Sequence, residues 1–402
     1  EDIFTKNKIF NEEKDRLNYS KFDLDPPTML ENWLEKYGNS KNNISNFSYS
    51  GDKILISKTS RLSRSSQAND VIFNKNNLIT YDHKGEIFVY SLDKKKILFE
   101  YNFYKKKFKR FQKVISLIID NNILYAADNL GYIYAINLNK KSLIWAKNYG
   151  IPFRSNLKFI NGQIILANQD NTIFSINSIN GQKNWQFETS VTFLKTDFMN
   201  SFAIDKNNNN LFFLNTNGEL YSINYVNESI NWVINFKRSS LADDTNLFLS
   251  QPIILKKNNL IIVTENSVSN YNYQTSSRNW IFSSKTLLRP ILTTDFTFTV
   301  AENNLLICLD NQTGEVIWSQ NIYKNLSKSK MIKKIGKLHD FKMINGVLSI
   351  FSENGYLLSF DYKNGKFKSL KNISKKGISS EVILVKNYMF MIDNNNRLLK
   401  FN

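Results

Sequence analysis

Histidine and cysteine are almost missing from this chain, with two and one among 402 residues. Cys308 alone cannot form an intramolecular disulfide, so cysteine usage assigns no redox compartment. Set inside an apolar run, it reads as a small buried hydrophobe. His83 and His339 lie far apart, each beside a single acid, Asp82 and Asp340, and neither is joined by a second His or a Cys. That is not a metal-ligand set. His83 falls in the turn Tyr81-Asp82-His83-Lys84-Gly85, and His339 falls where a strand is expected to begin. Long apolar runs are also missing. With no stretch of about 18 apolar residues, no membrane-spanning helix is expected. There is no Gly-x-Ser-x-Gly elbow and no phosphate-binding glycine loop. The chain begins at Glu1 without Met and without a signal-peptide pattern, as expected of a mature or trimmed chain. The residues therefore predict no catalytic group, no metal and no cofactor.

Positive charge, in contrast, is plentiful. Lys and Arg number 53 against 35 Asp and Glu, giving a formal net charge of +18 and a pI near 9.5. The densest basic run is Lys105-Lys106-Lys107-Phe108-Lys109-Arg110, and a second spans 328–337. Lys, Asn and Ile are abundant throughout, as an AT-rich genome would produce, so solvated loops are the favoured reading. An anionic membrane surface ranks next. Nucleic acid ranks last, because no recognition motif accompanies the charge.

The most informative pattern is a repeat: apolar strand, polar turn, apolar strand, turn, tryptophan. Its clearest copy runs from Leu305 through Asp310-Asn311-Gln312-Thr313-Gly314-Glu315 to Trp318. Others end at Trp145, Trp185, Trp232 and Trp280, with related copies ending at Phe99 and, more weakly, Ser369. An interval of about 45 residues accommodates four short strands with turns, which is one propeller blade. Runs such as Asn122-Ile123-Leu124-Tyr125-Ala126-Ala127 lack helical periodicity and are bounded by turn residues. They are apolar on both faces, as in a sheet sandwiched between neighbours. The five tryptophans are read as wedges between blades, each at the end of a third strand.

Residues 1–30 are polar, close on Pro26-Pro27, and are expected to form a tether. Residues 31–402 are expected to form one propeller domain. Seven blades are placed near 70–104, 112–149, 156–190, 201–237, 251–284, 290–324 and 338–370. An eighth combines the strand candidate Lys53-Ile54-Leu55-Ile56-Ser57 with three candidates in 378–402, closing the ring through both termini. The fold class is thus all-β, an eight-bladed propeller of four-stranded antiparallel blades, with seven blades and an irregular tail as the rival.

The turn-and-tryptophan segments Asp310 to Trp318 and Asn180-Gly181-Gln182-Lys183-Asn184-Trp185 resemble the PQQ-like β-propeller repeat family over roughly residues 31–402. Within that family the chain is most similar to the BamB group, lipoproteins of the outer-membrane β-barrel assembly machinery, in an alphaproteobacterial style. Asn32-Trp33 followed by Gly38-Asn39, the apparent blade count and the polar arm carry the resemblance. It implies a periplasmic location at the outer membrane with a lipid anchor, whose cysteine is not in this chain. It also implies the periplasmic domains of BamA as partner, alongside other assembly subunits and, at blade edges, unfolded barrel segments. The family's binding loops correspond here to Phe193-Leu194-Lys195-Thr196-Asp197 and to Leu241-Ala242-Asp243-Asp244, which makes Phe193, Leu194, Lys195, Asp197, Asp243 and Asp244 the expected contact residues. Lys195 stands where the family carries Arg, and lacks the planar fork for bidentate pairing. The same fold serves quinoprotein dehydrogenases, which bind PQQ and calcium and commonly stack the quinone on a vicinal disulfide. One cysteine cannot form that pair. A generic ligand- or peptide-binding propeller is the third alternative.

Overall fold

The computed structural model describes residues 9–16, 22–65, 67–104, 108–191, 199–237, 248–326 and 329–402, with only the backbone at 67–69. Its strands form eight four-stranded antiparallel sheets, an eight-bladed β-propeller. Blades 1 to 7 are consecutive meanders spanning 67–102, 115–148, 158–187, 201–235, 254–283, 291–321 and 338–372. Blade 8 takes its first three strands from Ile383–Val385, Tyr388–Ile392 and Leu398–Phe401, and its fourth from Leu55–Lys58. The two ends of the chain therefore share one sheet, as the orphan strand candidate near residue 54 predicted. One short helix, Ser329–Ile335, falls within the second basic run and was not predicted.

The tryptophans are not at the ends of third strands. Trp145, Trp185, Trp232, Trp280 and Trp318 each lie within the fourth, outer strand of blades 2 to 6. The repeat as read from sequence, from Leu305 to Trp318 in its clearest copy, spans the third and fourth strands. The first strand escaped because it is often only two or three residues long, as in Lys158–Ile160, Ile254–Lys256 and Ile291–Leu292.

Turn chemistry explains the wealth of Asn. The hairpins between first and second strands place pairs of residues at positive φ: Lys75-Asn76, Asn121-Asn122, Asn161-Gly162, Asn345-Gly346 and Lys386-Asn387. Such turns match the twist of the flanking strands, and Asn enters the left-handed region more readily than other non-glycine residues. The turns between third and fourth strands share a different device. Each begins with Ser91, Asn137, Asn177, Asn224, Asn272, Asp310 or Asp361, whose side-chain oxygen accepts a backbone N–H two or three residues later. The fourth residue onward then takes positive φ: Lys95, Lys141, Gly181, Glu228, Ser276, Gly314 or Gly365.

The contacts divide the chain into two compact units. One comprises residues 1–28, 43–48 and 249–377, holding blades 5 to 7. The other comprises residues 29–42, 49–248 and 378–402, holding blades 8 and 1 to 4. Within the second unit, the segment 29–42 lies along the first strands. Trp33 and Phe73 exchange backbone bonds of 2.8 Å each, Ile119 N–H donates to Leu34 O at 2.9 Å, and Ile204 N–H donates to Ser40 O at 2.8 Å. Lys158 is fully buried there, paired with Glu35 at 2.5 Å and donating to Asn42 Oδ1 at 2.7 Å and Asn39 O at 3.1 Å. That set of acceptors is what a buried ammonium requires. Within the first unit, residues 43–48 do the same: Asn43 and Ser45 donate to Leu292 O at 2.9 and 2.8 Å, and Phe47 N–H donates to Met343 O at 2.8 Å.

Candidate interaction surface

The expected contact residues Phe193, Leu194, Lys195, Asp197, Asp243 and Asp244 all lie outside the described residues. The roots of both loops are described, and one turn of blade 4 holds them. Ser190, entering the first loop, donates to Glu219 Oε1 at 2.8 Å. Asn200, leaving it, accepts from Thr216 N–H at 3.0 Å. Phe236, entering the second loop, donates its N–H to Gly218 O at 2.9 Å and stacks with Phe248, which leaves it, at 5.9 Å. Gly218 sits against that second ring: a Cβ there would stand 2.9 Å from Phe248 Cδ2, at a φ of +82°. The buried Glu219 carboxylate also accepts from Asn215 Nδ2 at 2.8 Å and Tyr221 OH at 2.9 Å. Burial, and then this carboxylate, push the Tyr221 phenol well above its ordinary range. The turn 215–219 thus fixes where both loops leave the sheet.

The five wedge tryptophans fall into two groups. Trp145, Trp280 and Trp318 are buried, at 9%, 6% and 0% exposure. Each indole lies on the left-handed glycine of the following blade's last turn, so closely that an added Cβ would fall 2.6 Å from Trp145 at Gly181 and 2.5 Å from Trp280 at Gly314 or Trp318 at Gly365. Each Nε1 donates to a carbonyl in the same turn: Ser178 at 3.0 Å, Asn311 at 2.9 Å and Tyr362 at 3.2 Å. Trp185 and Trp232 are only half-buried. In the blade after Trp185 the left-handed position is Glu228, whose Cβ denies the ring that seat, and Trp185 Nε1 is buried with no hydrogen-bond partner among the described residues.

The outer strands are the most exposed in each sheet, and two edges stand apart. In the first unit the outer strand of blade 6 is covered by residues 9–16. Lys14 and Ser319 exchange backbone bonds of 3.0 and 2.8 Å, Glu13 pairs with Lys324 at 2.9 Å, and Phe10 packs on Phe282 at 5.3 Å. Asp25, further along, pairs with Lys256 at 2.9 Å and accepts from Thr294 Oγ1 at 2.6 Å. In the second unit the outer strand of blade 8 exposes three consecutive apolar side chains, Ile54, Leu55 and Ile56. Neither feature was read from the sequence, because the partners of residues 9–16 lie about three hundred positions away.

The single cysteine rules out a vicinal disulfide, and the described residues gather no ligand set for calcium. Cys308 is buried in the third strand of blade 6, and burial pushes its thiol up. His83 Nδ1 meets Gln112 Nε2 at 3.1 Å, and His339 lies in the first strand of blade 7. No group of three His, Cys, Asp or Glu residues able to hold a metal occurs among the described residues. No described helix is long and apolar enough to cross a membrane.

Residues 111–320, which include both loops, match the family model described as outer membrane protein assembly factor BamB. The chain belongs to the BamB family. No curated protein sequence matches it. Among solved structures, BamB from Moraxella catarrhalis is similar at 13% identity with a TM-score of 0.66, over 87% of this chain and 99% of that one. The quinohemoprotein alcohol dehydrogenase of Comamonas testosteroni, at 8% identity and a TM-score of 0.69, covers 92% of this chain and 80% of its own. A europium-containing methanol dehydrogenase is similar at 10% identity with a TM-score of 0.64, over 90% and 89%. At these identities the likeness is one of fold, and fold alone assigns no chemistry.

Proposed function

We propose that this protein is a non-catalytic scaffold subunit of outer-membrane β-barrel assembly, acting at the periplasmic face of the outer membrane. The observation that carries the reading is the BamB family match across residues 111–320. Its partners on this reading are the periplasmic domains of BamA and other subunits of the machinery, with unfolded barrel proteins as a further ligand at blade edges. Residues 193–197 supply an aromatic and an aliphatic anchor beside a cation, the composition of a protein-interface hot spot. Asp243 and Asp244 add acidic contacts. The stretch 1–30, whose segment 9–16 packs on blade 6, links the propeller domain of 31–402 to a lipid anchor.

The test is a pull-down by BamA periplasmic domains comparing the native chain with Leu194→Glu plus Lys195→Glu. Loss of retention is expected, and unchanged retention removes these loops from the interface. The dehydrogenase alternative makes the opposite demand: added PQQ and Ca²⁺ would give a saturable absorbance shift with dye reduction.

A further inference from the structure

We propose that the outer edge of blade 8, strand Leu55–Lys58, docks an extended segment of another protein that alternates apolar and acidic residues, added as a further strand. The inference sharpens the strand-addition part of the reading above and rests on it only there.

Backbone geometry comes first. Ile54 and Asn402 exchange backbone bonds, with Ile54 N–H to Asn402 O at 2.8 Å and the reverse at 2.9 Å. The neighbouring pair, Leu55 and Phe401, is in register but belongs to the alternate, non-bonded position of an antiparallel ladder. The N–H and C=O of Leu55 therefore point away from the sheet. Leu55–Lys58 is the terminal strand of its sheet, so no described strand takes them up. A register shift between Leu55 and Ser57 interrupts the ladder beyond, so the stretch up to Leu55 is the template this edge offers another chain.

Side chains supply the specificity. Ile54, Leu55 and Ile56 are 56%, 43% and 50% exposed, an unusual run for an edge strand, where charge is the normal protection. Beside them lies a groove of about 570 Å³, lined by Ile56, Lys58, Tyr90, Leu92, Lys95 and Lys400. Its lining mixes apolar side chains with the hydroxyls of Ser57, Thr59 and Ser60, and its charged lining residues are all cationic. Lys58 already pairs with the buried Asp393 at 3.1 Å, and Lys400 lies 3.5 Å from the centre of the Tyr388 ring. Lys95 is exposed on the rim. Apolar side chains for Ile54 to Ile56 and a carboxylate for Lys95 are the complement of this edge.

The molecule shows the same chemistry elsewhere. On blade 6 the segment 9–16 adds to an outer strand through Lys14 and Ser319, seats Phe10 on Phe282, and sets Glu13 on Lys324. Backbone pairing, an apolar anchor and a carboxylate on a lysine make up that ligand. Blade 8 offers the complementary half of each contact. A lipid surface cannot pair with the backbone of Leu55, so a membrane is the disfavoured occupant.

The experiment titrates the full chain against a fluorescein-labelled short peptide alternating Glu with Val or Phe, read by anisotropy. Saturable binding is expected, weakened about tenfold or more by Leu55→Pro and about three- to tenfold by Lys95→Glu. Because Leu55→Pro is able to disturb the sheet, a peptide methylated on alternate backbone nitrogens repeats the test on the unaltered protein; loss of binding supports strand addition. Equal affinity for the methylated peptide, or displacement of the peptide by phosphatidylglycerol vesicles, overturns the proposal. Absence of peptide binding by a protein still retained by BamA periplasmic domains overturns this site alone and leaves the scaffold reading standing.

Discussion

The contacts made by Trp318 and Trp185 are built from the same repeat, and the turns they face, Asp361-Tyr362-Lys363-Asn364-Gly365 and Asn224-Tyr225-Val226-Asn227-Glu228, differ most tellingly at the left-handed residue. Trp318 lies on Gly365, is fully buried, and donates Nε1 to Tyr362 O. Trp185 faces a blade whose corresponding residue is Glu228, stays half-exposed, and leaves Nε1 without a partner among the described residues. The indole supplies apolar area in both cases. What converts that area into a closed contact is a turn residue without a Cβ, free to take positive φ. The open contact is also the one from which the loop 192–198 departs, and the half-buried Trp232 precedes the loop 238–247.

The largest expected effect is Trp318→Ala, a loss of about 3–5 kcal/mol in a chemical-denaturation experiment, from cavity plus lost transfer energy. Trp185→Ala is expected to cost less, about 1–3 kcal/mol, since part of its ring is already in water. Similar losses for the two would break the comparison. Next, Gly365→Ala should destabilise by about 2–4 kcal/mol, because the new methyl meets the indole and the backbone stays left-handed. Glu228→Gly should move stability by no more than about 1 kcal/mol, relief of the left-handed backbone being offset by the freedom gained in the unfolded chain.

The smallest effect is one of pH. Burial pushes the Asp361 carboxyl up, but the Lys363 N–H and the Lys368 ammonium outweigh it and hold the group below its ordinary value. A depressed carboxylate stabilises above its unfolded pKa, near 3.9, and that contribution disappears as pH falls through the lower folded value. Denaturation midpoints measured from about pH 5 down to about pH 2 should fall more for the native chain than for Asp361→Asn. Equal slopes would assign the acid sensitivity elsewhere. The matching cap facing Trp185 is Asn224, which does not titrate.

Much of the fold was legible because its signals are local. Trp145 to Trp318, the Asn-rich turns and the strand candidates in 378–402 lie in short windows, and they gave the blades and the shared terminal sheet. What the sequence hid was distant or small. Lys158 and Glu35 meet across more than a hundred residues, and nothing in the local pattern of Glu35 announces a buried lysine. The two-residue strand Ile291–Leu292 is too short to show a period. The basic run 328–337 read as solvated charge, yet its Met331, Ile332 and Ile335 lie within or beside the helix Ser329–Ile335, with Ile335 buried. The loops at 193–197 and 241–244 were assigned by resemblance alone, and they lie outside the described residues. The exposed run Ile54 to Ile56 looked like an ordinary strand until its place at the edge of a sheet was known.

The measurement closest to the central claim is crosslinked retention of BamA periplasmic domains from native membranes, comparing the native chain with Leu194→Glu plus Lys195→Glu and with Trp318→Ala at a temperature where the latter is folded. The scaffold account predicts that BamA is retained by the native chain and by Trp318→Ala and is lost by the loop variant. Retention that ignores the loop, or no retention by the native chain, contradicts it.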